Sequence, residues 1–352
     1  MDRARTNLDG QIARSKVPGL QYLALDRDRT LFEYTGGWAD IGHRVPMTAD
    51  TTMMAYSMSK TITAIAVLQL VAAHKVGLDD PIERYHPTPY GPGITVRHLL
   101  AHLSGIPNPI PLRWVHAAAQ HAGFDEHAAL EAVLRAHPRA ASSPGAKYRY
   151  SNIGYWLLGR VVEHASGQSF ASYVVERVFA PLEIPPAALA YAIPDAGRHA
   201  RGYLEKYSFM NLAKRLLIDR QFIGDYEGAW LRIEPHYLNG PAFGGLVGTA
   251  RGFGAFLQDQ LRPRSVLCDN PARELLYTPQ RTRTGRVVPM GLGWHLGDLD
   301  AIPFFYKEGG GGGFHCEMRV YRVNRIATVV MTNATGFDVK QCLNALDRQF
   351  LG

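Results

Sequence analysis

The chain has 352 residues, enough for one large domain or two ordinary ones with a sizeable core. It is 46% hydrophobic and 20% charged, an ordinary globular composition, with a formal net charge of +7. Its Lys and Arg residues are scattered without a five-residue basic run, and Cys268, Cys316 and Cys342 form no CxxC pair, so neither nucleic-acid binding nor a disulfide or zinc framework is expected.

The opening "MDRARTNLDGQIARSKVPG" is charged and has no apolar signal core. The longest apolar run, residues 62–73, is interrupted by Gln69 and falls short of the roughly 20 residues a membrane span needs. A cytoplasmic protein without a membrane span is the expectation. "LQYLALD" from Leu20 and "TLFEYTGGW" from Thr30 read as two strands joined by a turn. Residues 57–76 read as a helix closed by Gly77. A Pro- and His-rich stretch follows, then short helices in "TVRHLLAH", from Glu126, from Asn152 with Gly167 as its cap, and from Ser169 to Pro181. Residues 209–224 read as a basic amphipathic helix, a lid or packing element. "QRTRTGR" from Gln280 reads as a solvated hairpin or loop. From Gly291 the pattern returns to strands, "GLGWHLG", "IPFFYKEG", "FHCEMRVYRV" and "RIATVVMTN", which are consecutive and suit antiparallel pairing. An amphipathic helix in "DVKQCLNALDRQFLG" closes the chain. Strands at both ends with helices between imply an α/β (α+β) fold, an antiparallel sheet flanked by helices with a mostly helical insertion. The expected division is 1–84 with 241–352 against 85–240, with the site in the cleft between them.

Three segments carry chemistry. In "YSMSK", Ser57 and Lys60 stand at i and i+3, where helical Cβ atoms lie about 5–6 Å apart. A serine needs an adjacent base, and an amine serves as one when burial lowers its pKa. The apolar flanks supply that burial, and amides at the helix start suit an oxyanion. The bland alternative is a chance four-letter pattern with a snorkelling lysine. Ser59 is read as structural. In "KYRYSNIG", Tyr150 and Asn152 project to one side of an extended segment, while Ser151 turns away. A phenol between two ammonium groups has a stabilised anion and shuttles protons, and Asn152 both donates and accepts. The alternatives are a packing tyrosine and an asparagine helix cap. In "FFYKEGGGGGFHCEM", Lys307 and Gly309 sit on a strand edge, where glycine admits close backbone approach and an N–H serves as an oxyanion donor; the alternative is a flexible glycine hinge. No phosphate loop, HExxH or GxSxG is present. His98 and His102, although four apart, read as packing or loop-holding residues.

With these motifs in their order, the chain resembles the serine β-lactamase and penicillin-binding-protein superfamily, nearest its class C and family VIII esterase branch. "ITVRHLLAHLSGIPN", "FGGLVGTARGFGAFL" and "GLGW" extend the resemblance over most of the chain. It implies Ser57 as the acylated nucleophile, with Lys60 and Tyr150 sharing the acid–base work. Asn152 would orient Lys60 and the acyl carbonyl, and Lys307 would set the positive potential. The amides of Ser57 and Gly310 would form the oxyanion hole. No metal or organic cofactor is implied. Glu308 departs from the pattern: it would repel a substrate carboxylate if it faced the cleft, whereas strand alternation would turn it away. The expected partner is a small-molecule acyl ester, with a β-lactamase or D-Ala-D-Ala-type peptidase or amidase as the alternative. A catalytically idle ligand-binding relative is the alternative of another class.

Overall fold

The computed structural model describes residues 2–110, 113–212 and 218–351. Its centre is a seven-stranded antiparallel sheet built from both ends of the chain. The strands are β1 (Gly19–Asp26), β2 (Thr30–Asp40), β3 (Val45–Pro46), β4 (His295–Leu299), β5 (Ile302–Gly311), β6 (Phe314–Tyr321) and β7 (Ile326–Thr332), in the spatial order β4-β5-β6-β7-β1-β2-β3. β1 pairs with β7 in a register that sets Leu20 opposite Thr332 and Asp26 opposite Ile326. The last four strands match the sequence reading, although β4 begins at His295, after "GLGW".

β1 is buried on both faces, which explains its near-continuous apolar run. Leu20, Tyr22 and Ala24 pack with α1 (Asp2–Ala13) and with the C-terminal helix Val339–Asp347. Leu23 and Leu25 face the opposite side, against Phe253 and Leu257 of the helix Ala250–Leu261. Gln21 also points to that side, and its amide is satisfied by Thr48 O, Thr51 O and the Ala250 N–H. No apolar period announces α1, since only Ala4 and Leu8 of its residues are buried.

α2 (Ser59–Ala72) is packed among other helices and is apolar nearly all round, as an enclosed helix must be. It packs against α3 (Asn152–Ser166), which ends at Gly167 in the left-handed conformation, as expected. α2 itself departs from the reading. It stops at Ala72, the chain turns through His74 at φ 56°, and Gly77 packs on Asp80 instead of closing the helix. Residues 209–224 also differ. Only Phe209–Leu212 is helical, residues 213–217 lie outside the described residues, and Ile223–Glu227 is a strand paired with Trp230–Ile233. Among the described residues, no helix is long and apolar enough to cross a membrane.

Candidate active site

Strand Met53–Met54 pairs with Val247–Gly248 and delivers the chain into a 3-10 turn, Tyr56–Met58, ahead of α2. Ser57 therefore sits in the turn and not in the α-helix itself. Tyr56 takes φ 44°, a conformation that a bulky residue holds only when its surroundings enforce it. Here they do: the Tyr56 hydroxyl lies 3.1 Å from Gly312 O and 3.2 Å from His236 Nε2, and Ser59 Oγ donates to Tyr56 O at 2.7 Å. Ser59 is thus structural, and it also accepts from the Leu246 N–H.

Lys60 is fully buried. Its Nζ lies 2.9 Å from Ser57 Oγ, 2.8 Å from Asn152 Oδ1 and 2.6 Å from Phe243 O. Burial, and then the charge of Lys307, hold its pKa well below the usual lysine range. The Tyr150 hydroxyl donates to the same Ser57 Oγ at 2.7 Å. Burial of that hydroxyl raises its pKa above the ordinary phenol value, which corrects the expectation of a stabilised phenolate. Asn152 opens α3, but the helix cap is Ser151, whose Oγ accepts from the Gly154 N–H. The Asn152 side chain is thereby left to Lys60. Ser57, Lys60, Tyr150 and Asn152 form one hydrogen-bonded group drawn from segments some 90 residues apart in sequence.

Lys307 lies close to this group without joining it. Its Nζ is 5.4 Å from the Tyr150 ring centre, has no hydrogen-bond partner among the described residues, and is held to a pKa of about 7 by burial. Glu308 alternates to the other face and pairs with His315 at 2.7 Å, while its charge still acts on Lys307 and Tyr150 to raise the pKa of both. Beyond Tyr306, β5 has no β4 partner, and its free edge runs along the nucleophile turn. A Cβ at Gly309 would overlap the Ala55 carbonyl and sit 2.9 Å from the Ser57 backbone nitrogen. Gly310 lines the same cavity as Ser57. A Gly309→Ala protein is therefore expected to lose at least tenfold in kcat/KM, because either β5 or the Ser57 amide must move. Unchanged kcat/KM in steady-state assays would show that this approach is not needed.

Three neighbours were not recognised from the sequence as part of the site. His102 is buried, accepts from the Ser151 N–H through Nδ1, and packs 4.3 Å from the Tyr150 ring centre, which is the packing and loop-holding role read for it. His295 stacks 6.4 Å from Tyr150 and bonds the Tyr148 hydroxyl at 3.1 Å. Burial and the two lysine charges push His295 down to about 2, so it stays neutral. Tyr148 had a signal, since it stands two residues before Tyr150 in an extended segment. His295 had none, because only the fold brings β4 there.

Ser57 opens into a cavity of about 400 Å3, walled by residues that include Phe222, Ile233, Leu238 and Phe243. Among the described residues, its lining holds no Asp, Glu, Lys or Arg.

Comparison with known proteins agrees with this architecture. Penicillin-binding protein 4* of Bacillus subtilis is 24% identical over 319 residues, covering 88% of this chain and 66% of that protein, so the chain spans just under two thirds of its length. The D-amino acid amidase of Ochrobactrum anthropi SV3 superposes with a TM-score of 0.81 at 22% identity, covering 99% of this chain and 97% of its own. EstCE1, described as a hydrolase with promiscuous acyltransferase activity, superposes with a TM-score of 0.74 at 19% identity, covering 100% and 98%. These two likenesses show a shared fold. The model of the Beta-lactamase family matches residues 4–350, nearly the whole chain, and the protein belongs to that family of hydrolases.

Proposed function

We propose that the protein is a serine hydrolase working through an acyl-serine at Ser57, and that it is a carboxylesterase for small, mostly apolar acyl groups. The observation that carries this reading is Ser57 Oγ, held by both Lys60 Nζ and the Tyr150 hydroxyl at the edge of an apolar cavity. Ser57 and Lys307 come from the 1–84 and 241–352 segments, Tyr150 and Asn152 from 85–240, in keeping with a cleft between two domains.

The partners around Lys60 suit two protonation states. A neutral amine donates two N–H bonds, to Asn152 Oδ1 and Phe243 O, and aims its lone pair at the Ser57 hydroxyl. An ammonium donates to all three oxygens. Three good acceptors favour the charged form and burial disfavours it. Burial, and then the charge of Lys307, lower the Lys60 pKa, which supports the neutral amine as the starting form and Lys60 as the first base. Ser57 passes its proton to Lys60 as Oγ bonds to the acyl carbon. The oxyanion is met by the Ser57 and Gly310 amides. Tyr150, kept a neutral phenol, gives its proton to the leaving alkoxide as the C–O bond breaks and recovers one from the Lys60 ammonium. Water then attacks the acyl-serine, the same pair takes its proton, and Ser57 Oγ is released protonated.

Ester over β-lactam or peptide rests on Lys307. It is fully buried and absent from the cavity lining, so it offers a substrate carboxylate no exposed cation. Esters also need less leaving-group protonation than amides. Two measurements test the proposal. Intact-mass analysis after a fluorophosphonate probe should place one adduct on Ser57, and an adduct elsewhere or none overturns the mechanism. kcat/KM should be higher for p-nitrophenyl butyrate than for nitrocefin on one preparation. The reverse order replaces the esterase by the lactamase or amidase reading.

A further inference from the structure

The cavity beside Ser57 is larger than a short acyl group needs, and its apolar character continues out to its rim. Taking about 30 Å3 for a methylene-sized group, the share of one water in the liquid, on the order of a dozen such groups fill a cavity of this size. Phe222, Ile233 and Phe243 are buried wall residues, at 4%, 3% and 2% exposure. Ile110 and Phe209 line the same cavity but are 70% and 76% exposed. They come from separate segments of the chain, and large apolar side chains left in water around one opening mark a surface that a ligand covers. The wall gives such a ligand no charge to pair with among the described residues. The polar side chains it does offer there, Asn152, His236, Thr335, Tyr56 and Ser57, stand among apolar neighbours.

We propose that the acyl group is a hydrocarbon chain of medium length, about six to ten carbons, running from Ser57 along Phe222, Ile233 and Phe243 to be closed over by Ile110 and Phe209. This deepens the esterase reading and rests on it. Ile110 and Phe209 act on chain length and take no part in bond making or breaking. Each methylene that moves from water into the wall contributes about fourfold in kcat/KM, the factor that apolar transfer gives. The gain stops where the chain passes the rim.

The test has two arms. In the first, kcat/KM is measured for p-nitrophenyl esters of two, four, eight, twelve and sixteen carbons with the parent, Ile110→Ser and Phe209→Ser. The parent should peak between six and ten carbons, and each variant should lower the eight-to-two-carbon ratio at least fivefold. A parent profile falling steadily from two carbons, or a ratio unmoved in both variants, overturns the proposal. In the second arm, calorimetry with octanamide and acetamide on Ser57→Ala needs no chemistry at all. Octanamide should bind at least tenfold tighter than acetamide, and less tightly when Phe209→Ser is added. Equal binding of the two amides overturns the chain-length site. Tight octanamide binding by a protein that hydrolyses no ester keeps the chain site and overturns only the Ser57 chemistry.

Discussion

A Ser57→Ala protein is expected to melt within a few degrees of the parent and to hydrolyse p-nitrophenyl butyrate at the uncatalysed rate. The fold tolerates the change because the side chain adds one partly buried oxygen. Lys60 also keeps two of its three acceptors, Asn152 Oδ1 and Phe243 O. Turnover does not survive, because the atom that takes the acyl group is gone and the remaining groups act only through it. Lys60→Ala and Tyr150→Phe should each lower kcat by about 10²-fold or more, the usual scale for proton transfer. Residual turnover by Ser57→Ala above one hundredth of the parent, on protein free of parent enzyme, removes Ser57 as nucleophile. Tyr150→Phe with normal kcat removes the phenol from the proton path.

Lys307→Met is expected to make the protein more stable and less active. Lys307 Nζ is enclosed without a hydrogen-bond partner among the described residues, so the folded state resists its charge and sets its pKa near 7, against about 10.4 in an unfolded chain. Because the folded pKa is the lower one, the unfolded chain binds the extra proton between these values, and stability rises with pH across that window. The cost of the charge is therefore present in full below about pH 7 and is gone above about pH 10. Methionine fills a similar volume without that cost. Urea unfolding should show a gain of about 1–4 kcal/mol for Lys307→Met at pH 6, shrinking by pH 10. A less stable Met variant at pH 6, or a gain independent of pH, would falsify this account. The same substitution should lower kcat, since it removes the positive charge 5.4 Å from the Tyr150 ring centre.

Legibility followed the range of the interactions. Lys60 was visible from Ser57 because three residues along a helical segment is a local spacing, and it survived the change from α-helix to 3-10 turn. Tyr150 and Asn152 were visible because extended backbone places them two apart on one side. β5, β6 and β7 were visible because turns punctuate consecutive apolar runs. What was hidden depended on distant partners. The φ of Tyr56 is enforced in part by Gly312 and His236, which no local pattern near Ser57 announces. The strand pairs Met53–Met54 with Val247–Gly248, and Val115–Ala117 with His236–Leu238, are too short to carry a period of their own. Residues 223–227 alternate weakly because much of that strand faces water, so the basic helical pattern before them runs on without a visible stop. The phenolate expectation fails because desolvation of the Tyr150 hydroxyl outweighs its proximity to two lysines.

The pairing of Leu20 with Thr332 has a consequence for how the protein is made. At about 5–20 residues per second, roughly half a minute separates the exit of β1 from that of β7 on a ribosome. Throughout that interval β1 has only its ladder with β2. A stop codon anywhere before β7 leaves β1 with its second ladder unformed and an open edge. Loss of the last few dozen residues thus leaves β1 open to pairing with another chain.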